Sequence, residues 1–251
     1  MEAYANQLIA ALLISLRIAP TLAFAPPFTL LRIPVTIRLL LSLWLALWIV
    51  LANPGHTYER GINEAQLIPI VFSELLLGMT LAIALQLAFA VLLVAGRAID
   101  IQVGFGLAQV ADPALRQQLP LVGTLFSYAA AAVFFATDGP ADLLAIWSHS
   151  VAEIPMGAMA ASPEIGVLLR YISAVFVLAV GLAGLVLLVL FLVDVAVAFM
   201  SRTLPQMNML VLGFQVKTIA LLMTLPFVFA LSGSLFLRLV RTAIDVTSSL
   251  L

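Results

Sequence analysis

The sequence lacks cysteine altogether and has very little charge. Without cysteine, disulfides, thiolate metal sites and thiol nucleophiles are excluded. Only 9% of the residues are charged and the net charge is −1, so the 11 lysines and arginines form no basic surface and no nucleic-acid partner is expected. In contrast, 64% of the 251 residues are hydrophobic and the mean hydropathy is +1.22. Soluble proteins carry about 25% charged residues, so this composition predicts an integral membrane protein.

Motifs of enzymes are also missing from the sequence. The two histidines, His56 and His149, have no partner at metal-ligand spacing and fall in connections between apolar runs. No nucleophile elbow and no phosphate-binding loop occurs. We therefore expect no catalytic activity, no cofactor and no metal site. The chain starts Met1-Glu2-Ala3-Tyr4 without a basic residue, which favours a first apolar segment retained as an anchor over a cleaved signal peptide.

The apolar runs predict an all-α membrane protein. A helix needs about 20 apolar residues to cross a bilayer, and proline or glycine pairs interrupt the runs. About six long apolar helices are expected, arranged as helical hairpins, some of them broken, in a single domain over residues 1–251. Their expected ranges are 6–25, 37–53, 65–95, 121–137, 165–200 and 210–247.

Two segments do not fit a simple series of crossings. Residues 166–200 would form a helix of about 52 Å, against a hydrocarbon core of about 30 Å. Such a run is either a hairpin broken near Gly181 and Gly184 or a helix covered by partner subunits outside the lipid, and we favour hairpins packed on partners. The stretch 141–164 has three acidic residues and no lysine or arginine, which indicates an amphipathic, solvent-facing connection.

The charges of the connections give only part of the orientation. The positive-inside rule places the basic connections on one side of the membrane and the acidic stretch 138–164 on the other. Two C-terminal arginines, Arg238 and Arg241, break this pattern if the chain crosses six times. The arginines that would share the basic side are Arg32, Arg38, Arg97, Arg116 and Arg202.

Four ionisable residues lie inside apolar runs: Arg17, Glu74, Asp194 and Lys217. Inserting each of them into the membrane costs roughly 2.5–3.5 kcal/mol, so a compensating contact or a function is expected for each. One interpretation is a path for ions or protons, and the other is structural pairing, for example of Arg17 with Glu74. Because proton paths usually contain several close carboxylates or histidines, which this chain lacks, we favour pairing.

Residues 96–120 are polar and dotted with glycine between two apolar runs. In a membrane protein, irregular polar backbone survives only where protein buries it or where it lines a watery cavity. This segment is therefore the best candidate for the working part of the molecule. Its Val103-Gly104-Phe105-Gly106 stretch is similar to a potassium-channel filter, but Gln102 replaces the usual threonine and no short pore helix precedes it. The filter interpretation is disfavoured.

Three blocks in order resemble the FliR/SctT family of type III export-gate proteins, over residues 8–245. The first block joins Arg17-Ile18-Ala19-Pro20 to Ile33-Pro34-Val35-Thr36-Ile37-Arg38. The second joins Glu74-Leu75-Leu76-Leu77-Gly78 to the segment from Gly96 to Asp112-Pro113. The third is Arg202-Thr203-Leu204-Pro205-Gln206-Met207-Asn208, followed by Gly213-Phe214 and Lys217. The form of the third block favours the flagellar over the virulence branch. Gln215, where many relatives have proline, is a local departure.

The resemblance implies a fold of helical hairpins, with one copy built into a helical complex with several copies of FliP and FliQ. It further implies that FlhB wraps the closed entrance, that unfolded flagellar subunits pass in transit, and that the complex lies in the bacterial inner membrane at the flagellar basal body. By the same resemblance, the loop in the second block would project into the channel as a plug. Phe105, Leu107 and Val110 could supply an apolar surface that resists water by dewetting. The alternative is that these residues pack as an ordinary helix hairpin. The predicted plug residues are Gly104, Phe105, Gly106, Leu107, Val110, Asp112 and Pro113.

The third block is expected to form a structural corner. Pro205 interrupts the backbone and frees carbonyls, to which Arg202, Gln206 and Asn208 can donate. The alternative function is a stand-alone secondary transporter or ion channel. A transporter of that class would need matching interrupted helices in two repeats, and the proline-broken segments 26–34 and 203–205 are too unlike to be such a pair.

Overall fold

The computed structural model describes residues 2–57, 67–105, 120–156, 165–203 and 208–249. Within these ranges the regular structure is entirely helical, which confirms the all-α prediction. It comprises a short 3-10 turn, Pro54–His56, and eight helices: α1 (Glu2–Phe24), α2 (Val35–Ala52), α3 (Leu67–Val103), α4 (Leu121–Ala136), α5 (Gly139–Glu153), α6 (Ile165–Thr203), α7 (Met209–Leu231) and α8 (Gly233–Ser249).

The number of membrane-spanning helices agrees with the expectation of about six. Five described helices (α1, α2, α3, α6 and α7) are long and apolar enough to cross a membrane, and the bent pair α4–α5 would make a sixth span. The pair bends by 72° after Ala136, and α7 is separated from α8 by a break at Ser232. Some of the helices are therefore broken, as the sequence predicts.

One of the two interpretations of residues 166–200 is wrong. They belong to α6, a continuous helix of 39 residues, and Gly181 and Gly184 lie inside it without a break. A single glycine weakens a helix by only about 0.5–1 kcal/mol, and α3, α7 and α8 pack along α6. Neighbouring helices therefore support one continuous helix where the sequence alone allows a hairpin.

The stretch 141–164 is also more structured than a solvent-facing connection. Its first part belongs to α5, which buries Leu143, Ile146, Trp147 and Val151 against the rest of the chain. The opposite face is exposed, and there His149 lies 3.9 Å from Glu153. The amphipathic pattern was therefore correct, but its apolar face packs on protein.

Helix α3 is the centre of the molecule. It packs against α1, α4, α6 and α8, while α1 with α2 and α6 with α7 form hairpins. The outer faces of α6 and α7 carry large exposed apolar side chains, among them Phe199 and Phe227, each 67% exposed. These faces require lipid or other protein chains as cover.

Candidate functional site

Arg17 and Glu74 form a buried ion pair between α1 and α3. The Nε of Arg17 donates to Oε2 of Glu74 at 2.7 Å, and its Nη2 donates to Oε1 at 3.0 Å. Both side chains are 0% exposed. This fork-to-fork geometry is the strong form of an arginine–carboxylate contact, and it confirms that these two residues pair.

The remaining donors of Arg17 are used by the end of α5. Nη1 donates to the carbonyl oxygen and to Oγ of Ser150, at 2.8 and 3.1 Å, and Nη2 donates to the carbonyl of Ile154 at 3.1 Å. The five N–H donors of the guanidinium thus meet five acceptors. The carbonyl of Ser150 also accepts the N–H of Ile154 at 2.9 Å. The carbonyls at the end of a helix have no partner inside it, so Arg17 caps α5 through the carbonyl of Ile154. We call Arg17, Glu74, Ser150 and Ile154 the Arg17 node.

Gly78, one turn after Glu74, allows α1 and α3 to touch backbone to backbone. A Cβ atom at this position would lie 2.6 Å from the carbonyl oxygens of Leu16 and Arg17, closer than real contacts permit. Glu74 and Gly78 stand on one face of α3 because they are four residues apart. In the E-x-x-x-G pattern, the glycine therefore allows α1 to approach α3, and the glutamate neutralises Arg17 of α1.

Arg38, the second arginine of the first sequence block, binds the end of α1. Its Nη1 donates to the carbonyls of Leu22 and Ala23 at 3.1 and 2.6 Å, and its Nε donates to the carbonyl of Ile33 at 3.1 Å. A cation at a helix C-terminus also interacts favourably with the helix dipole. Arg38 thus fixes the turn between α1 and α2.

The polar segment 96–120 begins as helix, which differs from its predicted irregular structure. Helix α3 continues to Val103 and ends at Gly104, whose φ of 103° is a conformation that glycine tolerates. The N–H of Phe105 bonds to the carbonyl of Asp100 at 2.9 Å, and that of Gly104 to Ile101 at 3.1 Å. These two bonds form a Schellman motif. Residues 106–119 lie outside the described residues.

Phe105 is anchored, whereas the sequence predicted an aromatic side chain on a backbone free to move. Its ring is partly buried against the core and lies edge-on to Phe214 of α7, with centroids 6.3 Å apart. The reason is the Schellman motif, which turns the residue after Gly104 back onto the preceding helix. The other predicted plug residues, namely Gly106, Leu107, Val110, Asp112 and Pro113, are outside the described residues.

A second polar cluster holds the C-terminal end of α3. Asp194 of α6 and Lys217 of α7 form a salt bridge of 2.5 Å, with side chains 38% and 19% exposed. Gln102 joins both: its Nε2 donates to Asp194 at 2.8 Å, and its carbonyl accepts from Nζ of Lys217 at 3.0 Å. We call these three residues the Gln102 cluster. The lysine also places a positive charge at the C-terminus of α3, where the helix dipole favours it.

The start of α4 is fastened to the same end of α3. Oδ1 of Asp100, which is only 7% exposed, accepts the N–H of Val122 in the first turn of α4 at 3.3 Å. Gly96 faces Gly123 so closely that a Cβ on Gly96 would lie 2.0 Å from the backbone nitrogen of Gly123. The helices before and after residues 106–119 are thus locked together. No residue type in the sequence marks this role of Asp100, because its partner is a backbone N–H 22 residues away.

The predicted corner between α6 and α7 differs from its expectation. Oδ1 of Asn208 accepts the N–H of Val211 at 3.4 Å and so caps the start of α7. The sequence predicts that it donates to free carbonyls. However, the start of a helix has free N–H groups, and the side-chain oxygen of asparagine accepts from these. Arg202 is exposed in the last turn of α6 and bonds to no described carbonyl. Pro205 and Gln206 are outside the described residues.

The fold and these clusters define a helical membrane protein with polar locks at both ends of its central helix. The model of the family "Bacterial export proteins, family 1" matches residues 8–243, so the chain belongs to that family. It is 28% identical over 244 residues to "Flagellar biosynthetic protein FliR" of Bacillus subtilis (strain 168), covering 92% of each chain. It is 26% identical over 177 residues to "Yop proteins translocation protein T" of Yersinia pestis, covering 69% of this chain and 67% of that one. The resemblance found in the sequence is confirmed.

A third relative extends the match across distant bacteria. "Flagellar biosynthetic protein FliR" of Aquifex aeolicus (strain VF5) is 28% identical over 228 residues, which cover 88% of this chain and 87% of the relative. Both flagellar relatives match nearly their full length, whereas the translocation protein matches about two thirds. The longer alignments therefore lie on the flagellar side, in agreement with the form of the third sequence block.

Proposed function

We propose that this chain is a membrane-embedded component of the flagellar type III protein export apparatus, and that it helps to form and close the gate for unfolded flagellar subunits. The observation that carries the proposal is the family match over residues 8–243 together with two flagellar relatives matched along nearly their whole length. A stand-alone transporter or channel is disfavoured, because the family match and the alignments with the relatives all point to export proteins. The role is that of a conduit subunit, without catalysis.

The proposed partners are FliP and FliQ, in a hetero-oligomeric helical complex, and FlhB at its entrance. The exposed apolar faces of α7 and of the second half of α6 support such partners, because Phe227 and Phe199 are each 67% exposed there. The proposed location is the inner membrane of the bacterium, at the flagellar basal body.

The size of the gently extracted protein tests this assignment. If the chain is a gate subunit, it should elute in a large complex that contains the two smaller export proteins, and it should accumulate poorly without them. A monomer or simple dimer of unchanged yield, with or without those partners, would support the transporter alternative.

We further propose that residues 106–114 act as the plug. The support is their base: the Schellman motif, the Gln102 cluster and the Asp100–Val122 bond hold the two flanking helices in place. A segment that blocks a channel must be attached to a base that does not move with it. Gly104 and Phe105 belong to that base.

The plug is tested by deletion of residues 106–114, with Gly104 and Phe105 retained. We expect the complex to assemble and the cells to leak small ions and solutes. A matched control replaces the same residues by glycine and serine at equal length, which keeps the connection but removes the apolar surface, and it should leak as well. A deleted complex that assembles fully and stays as tight as the parent would exclude the plug. If only the deletion leaks, length and not apolar surface closes the channel.

A further inference from the structure

A groove with three arginines lies between the first half of α6 and the middle of α8. Its volume is about 790 Å³. Arg170 reaches it from α6, and Arg238 and Arg241 reach it from α8, one turn apart. The other lining residues are Leu169, Ser173, Ala174, Val177, Leu178, Thr242 and Asp245.

The groove carries an excess of positive charge. Three guanidinium groups face the single carboxylate of Asp245, which leaves two positive charges. All three arginines are exposed, and within the described part of the chain none of them forms a salt bridge or hydrogen bond. Guanidinium groups bind phosphate oxygens through paired hydrogen bonds. The charge therefore suits an anion with several oxygens.

The walls of the groove are apolar, and this distinguishes it from a site for a free anion. Leu169 and Val177 are 62% and 65% exposed, and they continue along the outer face of α6. A ligand that fills the groove needs a negative group for the arginines and a hydrocarbon portion for this face. Ser173 and Thr242 also line the groove and add hydroxyl-bearing side chains to it.

The groove lies at the depth of lipid headgroups if α6 crosses the membrane. Arg170 and Arg202 are 32 residues apart on one continuous helix, so about 48 Å separates them. A bilayer with its headgroups is about 40–45 Å thick, and a tilt of about 20° accounts for the difference. Between these arginines the helix has one charged residue, Asp194, which is paired with Lys217.

We propose that this groove binds the phosphodiester headgroup of an anionic phospholipid, with an acyl chain along the outer face of α6. Basic pockets between membrane helices are known to hold such headgroups. The continuous apolar wall favours a lipid over an acidic protein segment. The inference needs only a membrane-spanning α6 and does not rest on the export function.

Lipid retention tests the site. The full-length chain, isolated in its native membrane assembly, is stripped with detergent and then exposed to vesicles of phosphatidylglycerol or phosphatidylethanolamine before native mass spectrometry. The parent should retain phosphatidylglycerol selectively. R170Q/R238Q/R241Q should retain roughly tenfold to hundredfold less, because each basic residue adds a comparable electrostatic attraction. R170K/R238K/R241K, which keeps the charge, should retain more than the glutamine variant.

The matched control is R32Q, an exposed arginine outside the groove, which should retain lipid like the parent. If the triple glutamine variant fails to fold, the single variant R241Q is measured in the same way and should show a smaller loss. Equal retention of both lipids by the parent, or unchanged retention in R241Q, would overturn the proposal. Displacement of the lipid by inorganic phosphate alone would reduce the site to a free-anion site. Loss of subunit contacts without loss of lipid would assign the groove to an acidic protein segment.

Discussion

Both ends of α3 carry charged groups next to apolar surface, and the two ends differ in how far these groups are shielded from solvent. Near its beginning, Glu74 meets Arg17 in a pair that is completely buried and whose guanidinium donors are all used. Twenty-eight residues later, about 42 Å along the helix, Gln102 meets Asp194 and Lys217 in a cluster that remains partly exposed. Both neutralise charge next to apolar surface, but only the first excludes solvent.

The difference indicates distinct uses of the two ends. Separating a buried pair leaves a charge without water, which is strongly unfavourable, so the Arg17 node can only be closed. A partly exposed pair contributes little and can open at small cost, because water replaces the lost contacts. The Gln102 cluster is the one next to residues 106–119. The end of α3 that precedes residues 106–119 is therefore the end whose polar contacts can be lost at the lower cost.

The largest expected effect comes from removing one partner in the Arg17 node. Glu74→Leu leaves Arg17 buried without its counter-charge, so the free energy of unfolding should fall by about 3–5 kcal/mol. That is a large part of the roughly 5–15 kcal/mol available to a folded protein. The measurement is denaturant unfolding of the purified complex, together with the amount of chain in membranes.

The double variant Arg17→Met with Glu74→Leu is the control for this prediction. Removing both charges should restore most of the stability, since apolar replacements of buried pairs are often neutral. If Glu74→Gln were to fold normally and yet stop export, the glutamate would have a role in ion movement that pairing does not explain. If Glu74→Leu were as stable as the parent, the node would not hold the fold.

The next largest effect on stability is expected where α3 and α4 cross, near the C-terminal end of α3. In Gly96→Ala, the new Cβ would lie 2.0 Å from the backbone of Gly123, so the helices must separate, at a cost of about 1–3 kcal/mol. Gly184→Ala is the matched control, because nothing lies within 4 Å of its Cβ position. That variant should be neutral or more stable by up to about 1 kcal/mol. Equal unfolding midpoints for both variants would mean that the Gly96–Gly123 crossing is not tight.

The sequence predicted the features of this structure whose alternatives carry a large free-energy cost. The apolar runs had to be helices because lipid leaves no other partner for the backbone. Arg17 and Glu74 had to find opposite charges, and the chain has few such residues to choose from. The helix breaks likewise followed from proline and glycine chemistry. These conclusions depend on local composition, which the sequence contains in full.

The parts that the sequence did not predict depend on where backbone groups meet in space. Ser150 and Ile154 contribute carbonyl oxygens to Arg17, and every residue has a carbonyl, so no residue type marks the site. The polar end of α3 is held through Gln102 by Asp194 and Lys217, which are 92 and 115 positions away from it in the chain. The side chain of Asn208 can donate or accept hydrogen bonds. Its acceptor role follows from the position of the start of α7, where the free backbone groups are N–H donors.

A smaller effect is expected from the capping bond between α3 and α4. Asp100→Ala removes the acceptor for the N–H of Val122, and loss of such a cap typically costs about 1 kcal/mol. Asp100→Asn keeps an oxygen at the same place and is the control. Hydrogen exchange at the amide of Val122 reports the bond directly and should accelerate in the alanine variant only. Unchanged exchange in that variant would show that the first turn of α4 is held by other contacts.

The smallest effect on stability, and the sharpest test of the comparison, comes from the Gln102 cluster. Lys217→Gln removes a partly exposed ion pair, so the free energy of unfolding should fall by less than about 1 kcal/mol. Yet the carbonyl of Gln102 and the carboxylate of Asp194 lose their common cation, and the last turn of α3 should loosen. Hydrogen exchange of residues 100–105 should therefore accelerate, and the assembled complex should leak small ions more than the parent does. Lys217→Arg, which keeps the charge, should stay close to the parent in both measurements. Faster exchange without any leak would mean that the cluster stabilises the end of α3 but does not affect closure of the channel. A large loss of stability would mean that both ends of α3 contribute similarly to the free energy of unfolding.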